Sequence, residues 1–293
     1  MVTRVPGVAV GHWSDEVART GCSVVLFPEG AVASGEVRGG APATREWELL
    51  APERMMSRID AVVLSGGSAF GLAACDGVVR WCEERGRGFA TTAGVVPIVV
   101  GLAVYDLGVG DASVRPGPGE GYAACEAASE VAGTNPRPGR GVGAGCGATI
   151  GSWRGRDAAR PGGLGVTAEH QGELVVSAIV VVNCYGDVLE PGADPLPFPA
   201  GAFDPGVPFG SPPGENTTVG VVVTNAALSK TQCLLVAQSA HDGLARAVDP
   251  VHTLADGDAF VAASVGVVGA PVDLVRTLAA RAICGAVRVA GLP

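Results

Sequence analysis

The chain has 293 residues, of which 47% are hydrophobic, enough for an extensive core in one large domain or two modest ones. Only 5% are aromatic, so that core has to be packed from Val, Ala, Leu and Gly. Twenty Lys and Arg against 29 Asp and Glu give a formal charge of -9, which argues against nucleic acid or anionic membrane as partners, since like charges repel.

The first residues, "MVTRVPGVAVGHWSDE", lack the apolar run of a signal peptide, and no later stretch extends about 18 residues without a Gly or a charge; a soluble, cytoplasmic protein is expected. "DAVVLS" (Asp60 to Ser65) is Val-rich and bounded by Asp and Gly, the pattern of a buried strand. The following "GGSAFGLAACDGVVRWCEE" has the apolar spacing of a helix, with Ser68 as its expected N-cap. "ELVVSAIVVVN" (Glu173 to Asn183) and "TVGVVVTN" (Thr218 to Asn225) read as two more buried strands. Between them, Val188 to Glu215 holds eight prolines and five glycines, so it cannot continue a helix or a central strand and reads as a linker or mobile loop. Ser229 and Gln232 have the spacing of a capping box ahead of a helix whose apolar face is Val236, Ala237 and Ala240. Pro271 opens a last helix through "VDLVRTLAARAICGAVRVA". The eight cysteines form no C-x-x-C pair and read as reduced, buried thiols.

Several motifs have bland readings that compete with functional ones. In "GVGAGCGATIG", Gly143, Gly145 and Ala148 match a loose G-x-G-x-x-A, but the preceding "GTNPRPGR" is not a strand, so the dinucleotide context fails. Glycines there permit close backbone approach instead. Ser68 lies in G-x-S-x-F, not G-x-S-x-G, which favours a helix cap over a nucleophile. His12, His170, His241 and His252 show no metal-ligand spacing and read as polar structural residues.

The junction Asn216-Thr217 differs, because a proline-rich run ends and an apolar strand begins at one bond. A threonine hydroxyl is a poor nucleophile alone. At a chain terminus it carries its own base, an α-amine with an ordinary pKa of about 7.7. Cleavage between Asn216 and Thr217 would create that terminus; the alternative is a plain loop-to-strand junction. Asp256 and Asp258, two apart about Gly257, could orient the threonine or only satisfy a turn. Asn183, ending an apolar strand, could donate into an oxyanion hole or only open the turn "NCYG".

With these residues, "VPGVAVGH" at Val5, "GGAPATRE" at Gly39, "DAVVLSGGSAFGLAA" at Asp60, "VGAGCGATIG" at Val142, "VVVN" at Val180, "NTTVGVVVTN" at Asn216 and "DGD" at Asp256, the chain resembles the self-cleaving N-terminal-nucleophile hydrolases. That family includes L-aminopeptidase/D-amidase/esterases, β-peptidyl aminopeptidases and nylon-oligomer hydrolases. The resemblance spans nearly the whole chain. It implies an α+β fold, a four-layer αββα sandwich in one domain of residues 1–293, autocleaved into an α-segment 1–216 and a β-segment 217–293. It also implies Thr217 as nucleophile, Asp256 and Asp258 as orienting carboxylates, Asn183 on the oxyanion side and Tyr105 in the active site. Substrates would be small peptides or amides, protomers would assemble as homo-oligomers, and no cofactor or metal is called for.

Two departures narrow this. Nylon-hydrolysing relatives can carry a lysine after "GATxG"; here the residue is Ser152 and the single lysine is Lys230, which argues against lysine assistance and, with it, nylon-oligomer substrates. Ala259 stands where a threonine commonly follows "DGD". An acyltransferase of the ornithine acetyltransferase type and a non-catalytic oligomeric binding protein remain alternatives at this level.

Overall fold

In the computed structural model, residues 4–128, 139–195, 197–198 and 215–291 are described. Within them the chain forms β1 (Ala9–Asp15), β2 (Thr20–Val37), β3 (Ala43–Arg45), β4 (Arg58–Ser65), α1 (Ser68–Gly71), α2 (Ala74–Glu83), β5 (Val99–Ala103) and α3 (Pro118–Glu126). It continues with β6 (Gly163–Gln171), β7 (Leu174–Asn183), β8 (Thr217–Ala226), α4 (Lys230–Ala245), β9 (Ala259–Val268) and α5 (Val272–Gly291). The nine strands hydrogen-bond in the order β6-β7-β8-β9-β2-β4-β5-β3, with β1 on β2.

Strand side chains alternate between faces, and here that alternation sorts residues into separate cores. Val180 and Val182 of β7, Val222 of β8, and Phe260 and Ala262 of β9 pack with α4 and α5. Their strand neighbours Ile179 and Val181, Val219, Val221 and Val223, and Val261 face the other way, onto Val25, Phe27, Val62, Leu64 and Leu102. On the far side of β2 and β4, Cys22, Val24, Ala61 and Val63 meet α2 and α3. Two helical layers therefore enclose two β layers, which is the expected αββα sandwich.

The layers are joined by β2, long enough at 18 residues to serve both. Its first half pairs with β4, its last with β9, and the register shifts between Leu26 and Ala31, where Gly30 takes φ 69°. Within the sheet the packing leaves little room: Gly220 of β8 lies so close to Phe260 and the Ile179 carbonyl that an added Cβ would sit 2.7 and 2.8 Å from them. All eight cysteines are buried and unpaired. Among the described residues, no helix is long and apolar enough to cross a membrane.

The three Val-rich strands and the helices after Ser229 and Pro271 occur where their patterns place them. The Ser68 cap does not. Gly67 holds the cap position in a left-handed conformation (φ 78°), and Ser68, also left-handed at φ 54°, is already inside the first turn. The cause is the buried carboxylate of Asp106, which accepts the Gly67 N–H at 2.6 Å, while Ser68 N–H donates to the Val104 carbonyl. That helix also breaks in two, because Leu72 and Ala73 donate three residues back, to Ala69 and Phe70, tightening the turn. Of the proline-rich stretch, Val188 pairs with Val248 in a short bridge, and residues 196 and 199–214 lie outside the described residues.

At α4 the capping box is complete: Ser229 Oγ accepts the Gln232 N–H, and Gln232 Oε1 accepts the Ser229 N–H. Ser229→Ala should therefore cost about 1 kcal/mol in chemical or thermal unfolding; an unchanged midpoint would show the box to be idle.

Candidate active site

β8 begins at Thr217, antiparallel to β7, so Thr217 lies opposite Asn183. It runs parallel to β9 with Val219 beside Ala259, which places Asn216-Thr217 alongside Asp256-Gly257. The Gly257 N–H donates to the Asn216 carbonyl at 3.0 Å. The Thr217 hydroxyl donates to the same oxygen. Both Asn216 and Thr217 are buried. Thr217 shares strand parity with Val219, Val221 and Val223, so its side chain belongs to the inter-sheet face and that of Thr218 to the helical face.

The two acids sit under this bond without touching the hydroxyl. Asp258 Oδ1 accepts the Thr218 N–H at 2.8 Å, while Oδ2 accepts from His252 Nδ1 at 2.8 Å and from the His252 N–H at 3.3 Å. Asp256 accepts the Tyr185 N–H at 3.0 Å and the Thr253 hydroxyl at 2.9 Å. Burial, and then the neighbouring Asp258 carboxylate, push Asp256 up to about 7. Their turn is clamped from below by β2 and its extension: Arg38 and Gly39 N–H donate to the Asp258 carbonyl, and Ala41 N–H to that of Asp256. A Cβ on Gly39 would sit 2.6 Å from the Asp256 carbonyl, and one on Gly257 would sit 2.8 Å from Thr217 Oγ. Both glycines are required by closeness, not by φ.

Asn183 is fully buried, with Nδ2 donating to the Tyr105 carbonyl and Oδ1 accepting the Thr149 N–H. In the intact chain it is the Gly257 N–H, not Asn183, that holds the Asn216 carbonyl. Tyr105, Thr149, Ser152, Arg156, Glu215 and Asn216 line a cleft of about 120 Å³ leading to the bond. Ser152 Oγ donates to Asn216 Oδ1 at 2.7 Å, and Arg156 binds both Glu215 and the Tyr105 side chain. The structure thus brings Asn216, Thr217, Asn183, Asp256 and Asp258 together, with Tyr105 along the cleft.

Sequence reasoning missed His252, Ser152 and the Gly257 N–H. Backbone donors leave no side-chain signature, and His252, with only a lone histidine's context, gave no pattern. The other histidines match the structural reading: His12 bonds Ser23 Oγ, His241 bonds the Glu36 carbonyl, and His170 is exposed on β6. Among the described residues none of them bonds Ser68, so no histidine stands as its base. Gly143 to Gly145 form a turn packed on β2 and β6, where a Cβ on Gly145 would crowd Gly163 at 2.6 Å. Among the described residues no three His, Cys, Asp or Glu side chains cluster as metal ligands.

Peptidase family S58 matches residues 1–290. The chain belongs to that family. It is 42% identical over 299 residues to an uncharacterized aminopeptidase of Mycobacterium tuberculosis, covering 92% of this chain and 83% of the relative. It is 28% identical to a 6-aminohexanoate-oligomer endohydrolase of Agromyces sp., covering 91% and 75%. Among solved structures it is similar to a Burkholderia sp. beta-aminopeptidase (TM-score 0.72, 23% identity, 98% of this chain and 85% of that one). It is also similar to the L-aminopeptidase D-Ala-esterase/amidase of Ochrobactrum anthropi, described as a variant of the Ntn hydrolase fold (TM-score 0.74, 19% identity, 99% and 85%). The chain is thus an amide hydrolase of the aminopeptidase kind on the N-terminal-nucleophile fold.

The raised Asp256 gives a pH prediction. A carboxyl whose folded pKa exceeds its ordinary value binds its proton more tightly when folded. Its stabilisation is complete below about 4 and is lost as pH rises to about 7. Stability should fall across that window by at most about 1.4 kcal/mol per pH unit from this group. Asp256→Asn, which cannot ionise, keeps the Tyr185 bond through its Oδ1 and can turn its amide nitrogen as donor to Thr253 Oγ1; it should remove that slope in unfolding measured from pH 4 to 7, and an unchanged slope would place the titration elsewhere.

Proposed function

We propose that the protein is an autoprocessed aminopeptidase or amidase whose nucleophile is the Oγ of Thr217, exposed as a new N-terminus by cleavage after Asn216. The observation that carries this reading is the Asn216 carbonyl itself, engaged at once by the Thr217 hydroxyl and the Gly257 N–H. In maturation, Thr217 Oγ bonds to the Asn216 carbonyl carbon and charge develops on the oxygen that Gly257 N–H already holds. The C–N bond then breaks, the hydroxyl proton passes to the Thr217 nitrogen, and an ester remains. Water hydrolyses that ester, leaving an Asn216 carboxylate and the free Thr217 amine.

In turnover, the neutral α-amine accepts the Thr217 hydroxyl proton as Oγ attacks the substrate carbonyl and passes it to the departing amine, leaving an acyl ester on Oγ; water then hydrolyses that ester, releasing the acid and restoring the hydroxyl. Asp258 fixes the Thr218 N–H and so the orientation of the terminal residue; Asp256 braces the adjoining turn through Tyr185 and Thr253. Asn183 lies opposite Thr217 and ties the Tyr105 strand end to the site. The α-segment 1–216 and β-segment 217–293 remain one sandwich, because β8 is central in the sheet. The cleft suits a short acyl-side residue of a small peptide or amide.

Denatured protein should separate into two pieces by mass, the smaller reading Thr-Thr-Val-Gly on N-terminal sequencing. Thr217→Ala should remain one chain and lose hydrolysis of aminoacyl amides, while Thr217→Ser should still cleave itself. An uncut Thr217→Ala chain with wild-type turnover would overturn the mechanism. Wild-type kcat/KM should rise over roughly pH 7 to 8, as an amine of ordinary pKa about 7.7 loses its proton. Asp258→Asn should fold and lose about 10²-fold in kcat; full activity would reduce "DGD" to a structural turn.

A further inference from the structure

His252 is placed unlike the other histidines. It stands on the turn between Pro250 and Asp256 with a left-handed backbone, φ 55°, unusual for a residue with a Cβ. Its ring and its own N–H both go to Oδ2 of Asp258. A carboxylate only accepts, so Nδ1 carries the proton in that bond. Nε2 is buried and has no hydrogen-bond partner among the described residues. The ring is held edge-on against His241 of α4, centroids 4.9 Å apart, and His241 is itself edge-on to Phe260 at 4.9 Å. His241 is tied to the Glu36 carbonyl through Nε2. The imidazole of His252 is therefore fixed by packing on one side and by a carboxylate on the other.

Asp258 has no other side-chain partner among these bonds. Its Oδ1 holds the Thr218 N–H, the first peptide group beyond Thr217, and its Oδ2 is filled entirely by His252. A carboxylate pivots unless both oxygens are held, and a pivot of Asp258 would release the Thr218 N–H. We propose that His252 is a positioning residue of the active site, whose Nδ1–H locks the Asp258 carboxylate and through it the terminal Thr217. The inference rests on the reading of Thr217 as nucleophile. It assigns His252 no proton transfer to substrate.

Asn places its amide nitrogen near where His places Nδ1 and tolerates left-handed backbone; Gly accepts that backbone but has no donor. Both variants thus keep the turn and the longer backbone N–H contact to Oδ2, and differ in the shorter side-chain bond that locks the carboxylate. His252→Gly should keep self-cleaved protein with a near wild-type melting temperature. Its kcat on an aminoacyl amide should drop by about 10²-fold while KM moves less than about 3-fold. His252→Asn should recover most of the kcat, and added imidazole should recover part of it in His252→Gly. Wild-type kcat in folded His252→Gly, or His252→Asn as slow as His252→Gly at equal stability, would overturn the assignment. If His252→Gly fails to fold, His252→Gln, which moves the donor to the ε position, takes its place against His252→Asn with the same two outcomes. Thr217→Ala run alongside separates the cases: activity in that variant sinks the nucleophile reading, whereas its inactivity beside a fully active His252→Gly sinks only the role of His252.

Discussion

The site depends on the parallel pairing of β8 with β9. That pairing sets Val219 level with Ala259, and two residues earlier it brings the backbone of Gly257 against the carbonyl of Asn216. Everything chemical follows from this one register. Parallel strands need a long crossover, and here α4 supplies it, packed on the same face that Val222 and Phe260 present. A slip by one residue would turn Thr217 toward the helices and Thr218 toward the inter-sheet face. It would also take the Thr217 hydroxyl away from Gly257, so register and function are set by the same alternation.

Much of the fold could be read from the chain because buried strands leave a pattern of their own. "ELVVSAIVVVN" and "TVGVVVTN" have no polar face, as strands covered on both sides must, and both are found within a residue or two of their expected ends. Ser229 with Gln232 was legible because a capping box is local chemistry. Ser68 was misread for the opposite reason: its conformation is imposed by Asp106, 38 residues away, which no window around "GGSAFG" contains. Of the candidate site, Thr217, Asp256, Asp258 and Asn183 were visible as residue types at strand ends. The group that holds the Asn216 carbonyl was not, since it is the main chain of Gly257. His252 was hidden because its meaning lies in the distance to Asp258, not in its neighbours.

The enclosure of the junction has an electrostatic side. In the intact chain, the bond between Asn216 and Thr217 is neutral and buried above two acids, one of which is driven up to about 7. Cleavage would place an ammonium beside them. An opposite charge within a few ångströms favours the ionised form of a carboxyl, so maturation would bring Asp256 down and draw the pair into its anionic state. Burial of the acids and creation of the amine would thus belong to one balance.

The chain's single lysine sharpens the question of the base. Lys230 is at the start of α4, its Nζ donating to the carbonyls of Leu49 at 2.7 Å and Arg54 at 3.1 Å, with burial lowering its pKa. It is committed to the backbone that anchors the turn before β4. Ser152 stands where nylon-hydrolysing relatives can have a lysine, and its hydroxyl already donates to Asn216. His12 and His241 are held neutral by burial and bonded elsewhere. His252 presents its protonated Nδ1 to Asp258. With those groups committed, the α-amine that the proposed cleavage would release on Thr217 would be the base closest to its own hydroxyl, and self-processing would then supply the catalytic group as well as access to it.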